Sequence, residues 1–196
     1  MFKKHSRKQN LILACVGRNG SGKDTVIDYL LTRYILERIS ISDMVRAKAT
    51  ELSLTHTREN LNHISKDLIT RYGNDYFAKL AIAKIEESGS SHVAVPDIRS
   101  PQDVKTFQDA FGKKFRLIAV IIDDDRARFE RLLTRGAARD PKSWNEFLGN
   151  EQREEEIFHI NTTVSLSDYK IYNNQSLSEL RENVDSVAVK LKLPKN

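Results

Sequence analysis

Leu11-Ile12-Leu13-Ala14-Cys15-Val16 runs without a break into Gly17-Arg18-Asn19-Gly20-Ser21-Gly22-Lys23-Asp24-Thr25. The first six residues are apolar and read as a buried strand. Glycines at 17, 20 and 22 then allow a tight turn, and a helix-compatible segment opens near Lys23. Gly17-x-x-x-x-Gly22-Lys23 is the Walker A spacing of a phosphate-binding loop. In such a loop successive backbone N–H groups of Gly17, Asn19, Gly20, Ser21 and Gly22 turn inward onto anionic oxygens. The helix that begins at Lys23 adds the positive end of its dipole. Lys23 supplies a mobile charge for the β- and γ-phosphates, and Asp24 and Thr25 complete the phosphate-binding set. A strand before and a helix after are the context this motif requires.

The position after Lys23 normally carries a hydroxyl that ligates Mg²⁺. Here it is Asp24, with Thr25 one residue later. Asp24 has two readings: a hard oxygen ligand for Mg²⁺, direct or through water, or a cap for the helix.

Around this loop the sequence alternates strands and helices. Strands are expected at 11–16, 39–41, 92–95, 115–122 and 169–172. Helices are expected at 25–36, from Ser42 or Asp43 to 54, from Thr57 to 72, from Asn74 or Asp75 to 87, and at 101–111, 123–133, 144–160 and 177–191. Five such strands imply an α/β chain, a three-layer α/β/α sandwich around a five-stranded parallel sheet. Ligands of such sheets sit beyond the strand carboxyl ends. The glycine-rich loop, Asp43, Asp97, Asp123 and Asn173 all fall there. At 196 residues the chain suits one domain with a full core.

Composition narrows the classes further. No stretch is long and apolar enough to span a membrane, and residues 1–9 form a basic, polar tail rather than a signal-peptide core. Lys3, Lys4, Arg7 and Lys8 in that tail supply most of the net charge of +5. A nucleic-acid-binding face is therefore not expected. Cys15 is the single cysteine, so no intrachain disulfide is possible and a reducing cytoplasm is the expected compartment. The histidines at 5, 56, 63, 92 and 159 lack metal-ligand spacing, and no nucleophile–histidine arrangement is legible. Glu151, Glu154, Glu155 and Glu156 read as a solvated helix face.

Three groups of residues point from phosphate binding toward phosphoryl transfer. Ser42-Asp43-Met44-Val45-Arg46 puts a fork-shaped guanidinium in the first turn after strand two, suited to a second phosphate. Pro96-Asp97-Ile98-Arg99 follows the third strand. Asp97 there can organise Mg²⁺ and its waters, with Arg99 toward the gap between donor and acceptor. Arg131, Arg135 and Arg139 are spaced by four. The last two flank Gly136-Ala137-Ala138, a segment able to close over a transferring phosphoryl group. Trp144 reads as a packing anchor.

Together these motifs resemble the nucleoside monophosphate kinase group of P-loop kinases, which includes adenylate kinase and dephospho-CoA kinase. The closest likeness is to an archaeal branch of dephospho-CoA-kinase-like nucleotide kinases, over nearly the whole chain. The Gly-Lys-Asp form of the loop is also that of phage deoxynucleotide kinases and animal phosphomevalonate kinase. Ser42 to Arg46 is similar to the acceptor-phosphate motif. Thr57-Arg58-Glu59-Asn60-Leu61 and Tyr72-Gly73 resemble acceptor-binding helices. Asp97-Ile98-Arg99-Ser100 resembles Asp-Gly-Ile-Arg, with the glycine missing. Residues 135–143 resemble the lid, and Asp168-Tyr169 with Tyr172-Asn173-Asn174 resembles the last strand and turn near the adenine.

The resemblance implies a single kinase domain with an acceptor-binding part at 42–88. It implies ATP and Mg²⁺, with transfer to a small nucleoside or deoxynucleoside monophosphate. Lys23, Asp97, Arg99, Arg135 and Arg139 would be catalytic. Asp43, Arg46, Arg58 and Arg99 would bind the acceptor, Asn173 would lie beside the adenine, and Asp24 and Asp97 would serve the metal. Two other outcomes remain open: a dephospho-CoA kinase, with a hydroxyl acceptor, and a nucleotide-dependent binding or assembly protein with slow ATPase activity.

Overall fold

The computed structural model describes residues 11–196; the basic tail and His5 lie outside them. Strand β1 (Leu11–Val16) is buried along its whole length. It pairs in parallel with β3 (His92–Val95) on one side and β4 (Phe115–Ile121) on the other. Strands β2 (Glu37–Arg38) and β5 (Tyr169–Tyr172) complete a parallel sheet of order β2-β3-β1-β4-β5.

Because side chains alternate along a strand, β1 feeds two cores. Ile12, Ala14 and Val16 pack with α2 (Ile41–Glu51), α3 (Arg58–Tyr72), α4 (Tyr76–Ser88) and α5 (Pro101–Phe111). Leu11, Leu13 and Cys15 face the opposite layer, α1 (Lys23–Arg33) and α9 (Leu177–Lys190). Burial pushes the Cys15 thiol up to about 12, so it behaves as a small apolar residue of that core. Helices α6 (Asp125–Arg135), α7 (Trp144–Phe158) and α8 (Ile160–Ser165) run between β4 and β5. No helix of the described residues is long and apolar enough to cross a membrane.

Several boundaries differ from the sequence expectation, among them the end of α1, which falls at Arg33 rather than 36. The second strand lies at 37–38, not 39–41. The Ile39 N–H still donates to Ala94 O, but Asp97 then accepts from the N–H groups of Ile41 and Ser42. Ser40, not Ser42 or Asp43, is the N-cap, its Oγ accepting from Asp43 N. A carboxylate just beyond the end of β3 therefore converts apolar Ile41 from strand to first helical residue. Helix α6 is displaced by two residues, because Asp124 caps it and Gly136, at φ 59°, ends it. Arg135 is thus helical rather than part of the irregular segment. The expected helix over 144–160 breaks at His159, which adopts φ 51° and separates α7 from α8.

Candidate active site

The glycine-rich loop lies over the carboxyl end of β1, between its neighbours β3 and β4. At Gly17 a Cβ would stand 2.5 Å from Val120 O and 2.6 Å from Ser21 Oγ, so no side chain fits. Gly22 sits at φ 94°, where a Cβ would meet Asn173 Nδ2 at 2.3 Å. Gly22 is also the N-cap of α1, and no side chain caps that helix. Its first N–H groups are thereby left for an anion. The buried Ser21 Oγ has no hydrogen-bond partner among the described residues.

Lys23 is half-buried rather than facing open solvent. Burial lowers its pKa, aided by Arg99 and Arg58 and opposed by Asp24 and Glu154. An ammonium desolvated among cations is short of negative charge. Asp24 makes no capping hydrogen bond, which removes the cap reading. Its carboxylate is 48% exposed and only loosely paired with Arg38, at 3.9 Å.

Two cavities of about 480 Å³ each meet at this point. One runs over the outer side of the loop and is lined by Gly20, Gly22, Thr25, Arg131, Asn173 and Gln175. The other runs from Asn19 toward α2, α3 and α4, with Arg46, Arg58, Asp97 and Arg99 in its wall and Leu61, Ile69 and Phe77 deeper in. Lys23, Asp24, Arg135 and Arg139 line both. Arg139 has no ion-pair partner among the described residues. Burial lowers its pKa, and Arg135 and Arg46 lower it further. Arg135, by contrast, is held by Asp140, its Nε donating at 2.8 Å. Asp140 is buried, accepts also from Ala137 N at 3.0 Å, and so folds the 136–140 segment into a pinned turn.

The remaining expected site residues fall as follows. Arg46 is paired with Asp43 on the same helix; Asp43 itself lies outside the cavity wall. Asp97 is buried, with both oxygens engaged by Ser40 Oγ and the N–H groups of Ile41 and Ser42. Asn173 is also buried: its Nδ2 donates to Ser21 O at 2.8 Å and its carbonyl accepts from Arg131. It braces the loop from behind as well as lining the outer cavity. Trp144 stacks on Phe147 at 5.1 Å, with the Arg126 guanidinium 3.8 Å above its ring.

Of the glutamate run only Glu156 is a solvated position. Glu151 and Glu154 are buried, and with Glu155 they turn one side of α7 toward the loop. Arg18 of the loop donates to Glu151 at 2.9 Å and to Glu155 at 3.1 Å. Arg128, 1% exposed, bonds Glu151 at 2.7 Å and the Asn19 carbonyl at 3.0 Å. Glu154 pairs with Arg58 at 2.9 Å and approaches Arg99 at 3.8 Å. Composition cannot tell a solvated acidic run from one that faces buried arginines. The spacing of 151, 154 and 155, one helical face, was the available signal.

No family model matches the chain. Among solved structures it is similar to TT1252 from Thermus thermophilus, with a TM-score of 0.60 and 18% identity over 94% of this chain and 99% of that one. A shikimate kinase from Bacteroides thetaiotaomicron gives 0.57 and 14% over 93% and 99%. A gluconokinase from Sinorhizobium meliloti gives 0.55 and 13% over 95% and 98%. These likenesses show the P-loop kinase fold and extend to small-molecule kinases generally, without selecting the dephospho-CoA kinase branch. In sequence the chain is 33% identical over 187 residues to a UPF0200 protein of Thermococcus sibiricus, covering 94% of this chain and 97% of that protein. It is also 33% identical over 183 residues to one from Pyrococcus horikoshii, covering 92% and 97%. On that likeness over nearly its whole length, the chain belongs to the UPF0200 family.

Proposed function

We propose that the chain transfers the terminal phosphoryl group of ATP to the phosphate of a small nucleoside-monophosphate-like acceptor. The observation that carries this is the meeting of two cavities at Lys23, Asp24, Arg135 and Arg139. A hydrolase needs one nucleotide cavity; a transferase needs a second, opening on the same phosphoryl group. In this reading the outer cavity takes the donor. Its phosphates lie on the loop N–H groups and its base lies toward Asn173. The inner cavity, bounded by the 42–88 part, takes the acceptor, and residues 135–143 act as the lid. Lys23 and Arg139 supply cations that make no direct ion pair among the described residues, and that is what a developing metaphosphate-like charge requires.

Asp24 fits Mg²⁺, since its carboxylate is free of capping bonds and borders both cavities. When bound with the triphosphate, Mg²⁺ neutralises and orients the β- and γ-oxygens. Asp97 then serves by holding the first turn of α2, which carries Ser42 and Arg46. An anionic acceptor is favoured over a hydroxyl one. Asp97 is occupied by three donors, and Asp103 is buried in the cap of α5. Neither is free to take a proton from an alcohol, whereas a phosphate oxygen is already ionised.

The test is to assay ADP formation with ATP, Mg²⁺ and a panel of nucleoside and deoxynucleoside monophosphates and dephospho-CoA. ADP matched by a new diphosphate supports the reading. Turnover only with dephospho-CoA, or ADP release indifferent to every acceptor, overturns it in favour of the hydroxyl-acceptor or slow-ATPase reading. Within that assay, Arg46→Ala is expected to raise the acceptor KM about tenfold or more and leave ATP affinity unchanged. A charge-assisted bidentate contact is worth about 1.5–3 kcal/mol. An equal loss of ATP binding would put Arg46 in the donor cavity.

Asp24→Ala is expected to lose activity that higher Mg²⁺ partly restores. Its cost in stability is under about 1 kcal/mol, because only the helix dipole and a loose, exposed pair with Arg38 are affected. Titrating Mg²⁺ against rate, beside thermal melting, checks both; an unchanged Mg²⁺ dependence would remove Asp24 from the metal.

A further inference from the structure

We propose that Glu154 is a positioning residue, the internal counter-ion that holds Arg58 and Arg99 in register with the phosphate loop. This rests on the phosphoryl-transfer reading above. Glu154 does not line either cavity; it stands behind the wall, on α7, 3% exposed. Four groups converge on it from three separate parts of the chain. Arg58 Nη1 comes from α3 at 2.9 Å, and Arg99 Nη1 from the segment after β3 at 3.8 Å. From the loop, Asn19 and Lys23 act on it electrostatically. Burial alone would push its carboxyl upward, but Arg99, Arg58, Asn19 and Lys23 hold it below the ordinary range. It is therefore an anion at neutral pH.

Both arginines also line the inner cavity. Arg58 is almost buried, its side chain 13% exposed, yet it lines the inner cavity and its Nε has no partner among the described residues. Arg99 lies 5.1 Å over the ring of Phe158, four residues and one helical turn beyond Glu154. Its backbone carbonyl also accepts from Thr163 Oγ1 of α8, at 2.9 Å. Helices α7 and α8 thus fix Arg99 by charge, ring face and main chain. Glu154 is where that frame touches both the loop and the acceptor wall. Arginines oriented in advance lose less freedom when they meet a phosphate.

This role predicts a split that a simple fold-supporting ion pair does not. Glu154→Gln keeps size and removes charge. The wall becomes more positive, so anions bind more tightly, while the guanidiniums lose their alignment and transfer slows. Binding of inorganic phosphate to the full chain is measured by calorimetry, with circular dichroism to establish folding. Glu154→Gln is expected to tighten phosphate binding about three- to tenfold and to lower kcat with the best acceptor about tenfold.

Glu154→Asp retains the charge, and with it the fold, but draws the carboxylate back. It is expected to bind phosphate as the wild type does and to lose kcat all the same. Folded Glu154→Gln with unchanged or weaker phosphate binding overturns the proposal, as does Glu154→Asp with wild-type kcat. If the wild type transfers to no acceptor, the kinase reading fails. The phosphate comparison still decides whether Glu154 balances the arginine wall.

Discussion

Arg139→Ala is expected to lower kcat by about three orders of magnitude, with much smaller changes in either KM. Arg139 has no ion-pair partner among the described residues, borders both cavities, and sits near Arg135 and Arg46. A cation held without a counter-ion gains most when negative charge spreads over the transferring group, so its effect belongs to the transition state. Because no partner is orphaned, thermal stability should hold or rise slightly.

Arg135→Ala is expected to lose activity and stability together, since it strips the buried Asp140 of the guanidinium that holds its carboxyl below the ordinary range. Steady-state kinetics in both substrates, beside thermal melting of each variant, separates the two. A folded Arg139→Ala enzyme with near-normal kcat would make 135–143 an ordinary turn and remove the main support for the transferase reading.

The second large effect is at Lys23. Lys23→Ala is expected to lose a few kcal/mol of transition-state stabilisation, on the order of a hundredfold or more in kcat, together with triphosphate affinity. Its effect on stability has the opposite sign. A lysine whose folded pKa is lowered destabilises the fold at pH values below that pKa, where the ammonium is charged, and the penalty fades as pH rises toward the ordinary lysine value. Removing the ammonium is therefore expected to leave the melting temperature unchanged or raised, while the upward shift given by ATP and Mg²⁺ shrinks. A folded variant that transfers at the wild-type rate would refute the assignment of the loop as the donor site.

Much of the architecture was legible from residues 11–25 and the alternation that follows them. An apolar six-residue run, glycines at the positive φ of 20 and 22 and a helix opening at Lys23 are local facts, whereas the atoms that bar a side chain at 17 and 22, Val120 O and Asn173 Nδ2, come from distant strands and turns. The parallel sheet follows from alternating elements, because parallel strands need crossover helices. Cap positions were less legible. At Ile41 the choice between strand and helix depended on Asp97, which is distant in sequence and adjacent in space.

By itself, then, the sequence determined the sheet, the glycine-rich loop and the cations that could surround it. Only the tertiary structure decided which of those cations are spent on the protein's own carboxylates and which stay free. Arg18 and Arg128 are paired with the acidic side of α7, and Arg135 with Asp140, while Arg139 and Lys23 have no ion-pair partner among the described residues. Charge pairing depends on contacts across long stretches of chain and on burial. The spacing of a run such as Glu151 to Glu156 shows which members share a helical face, but not which arginines that face will meet.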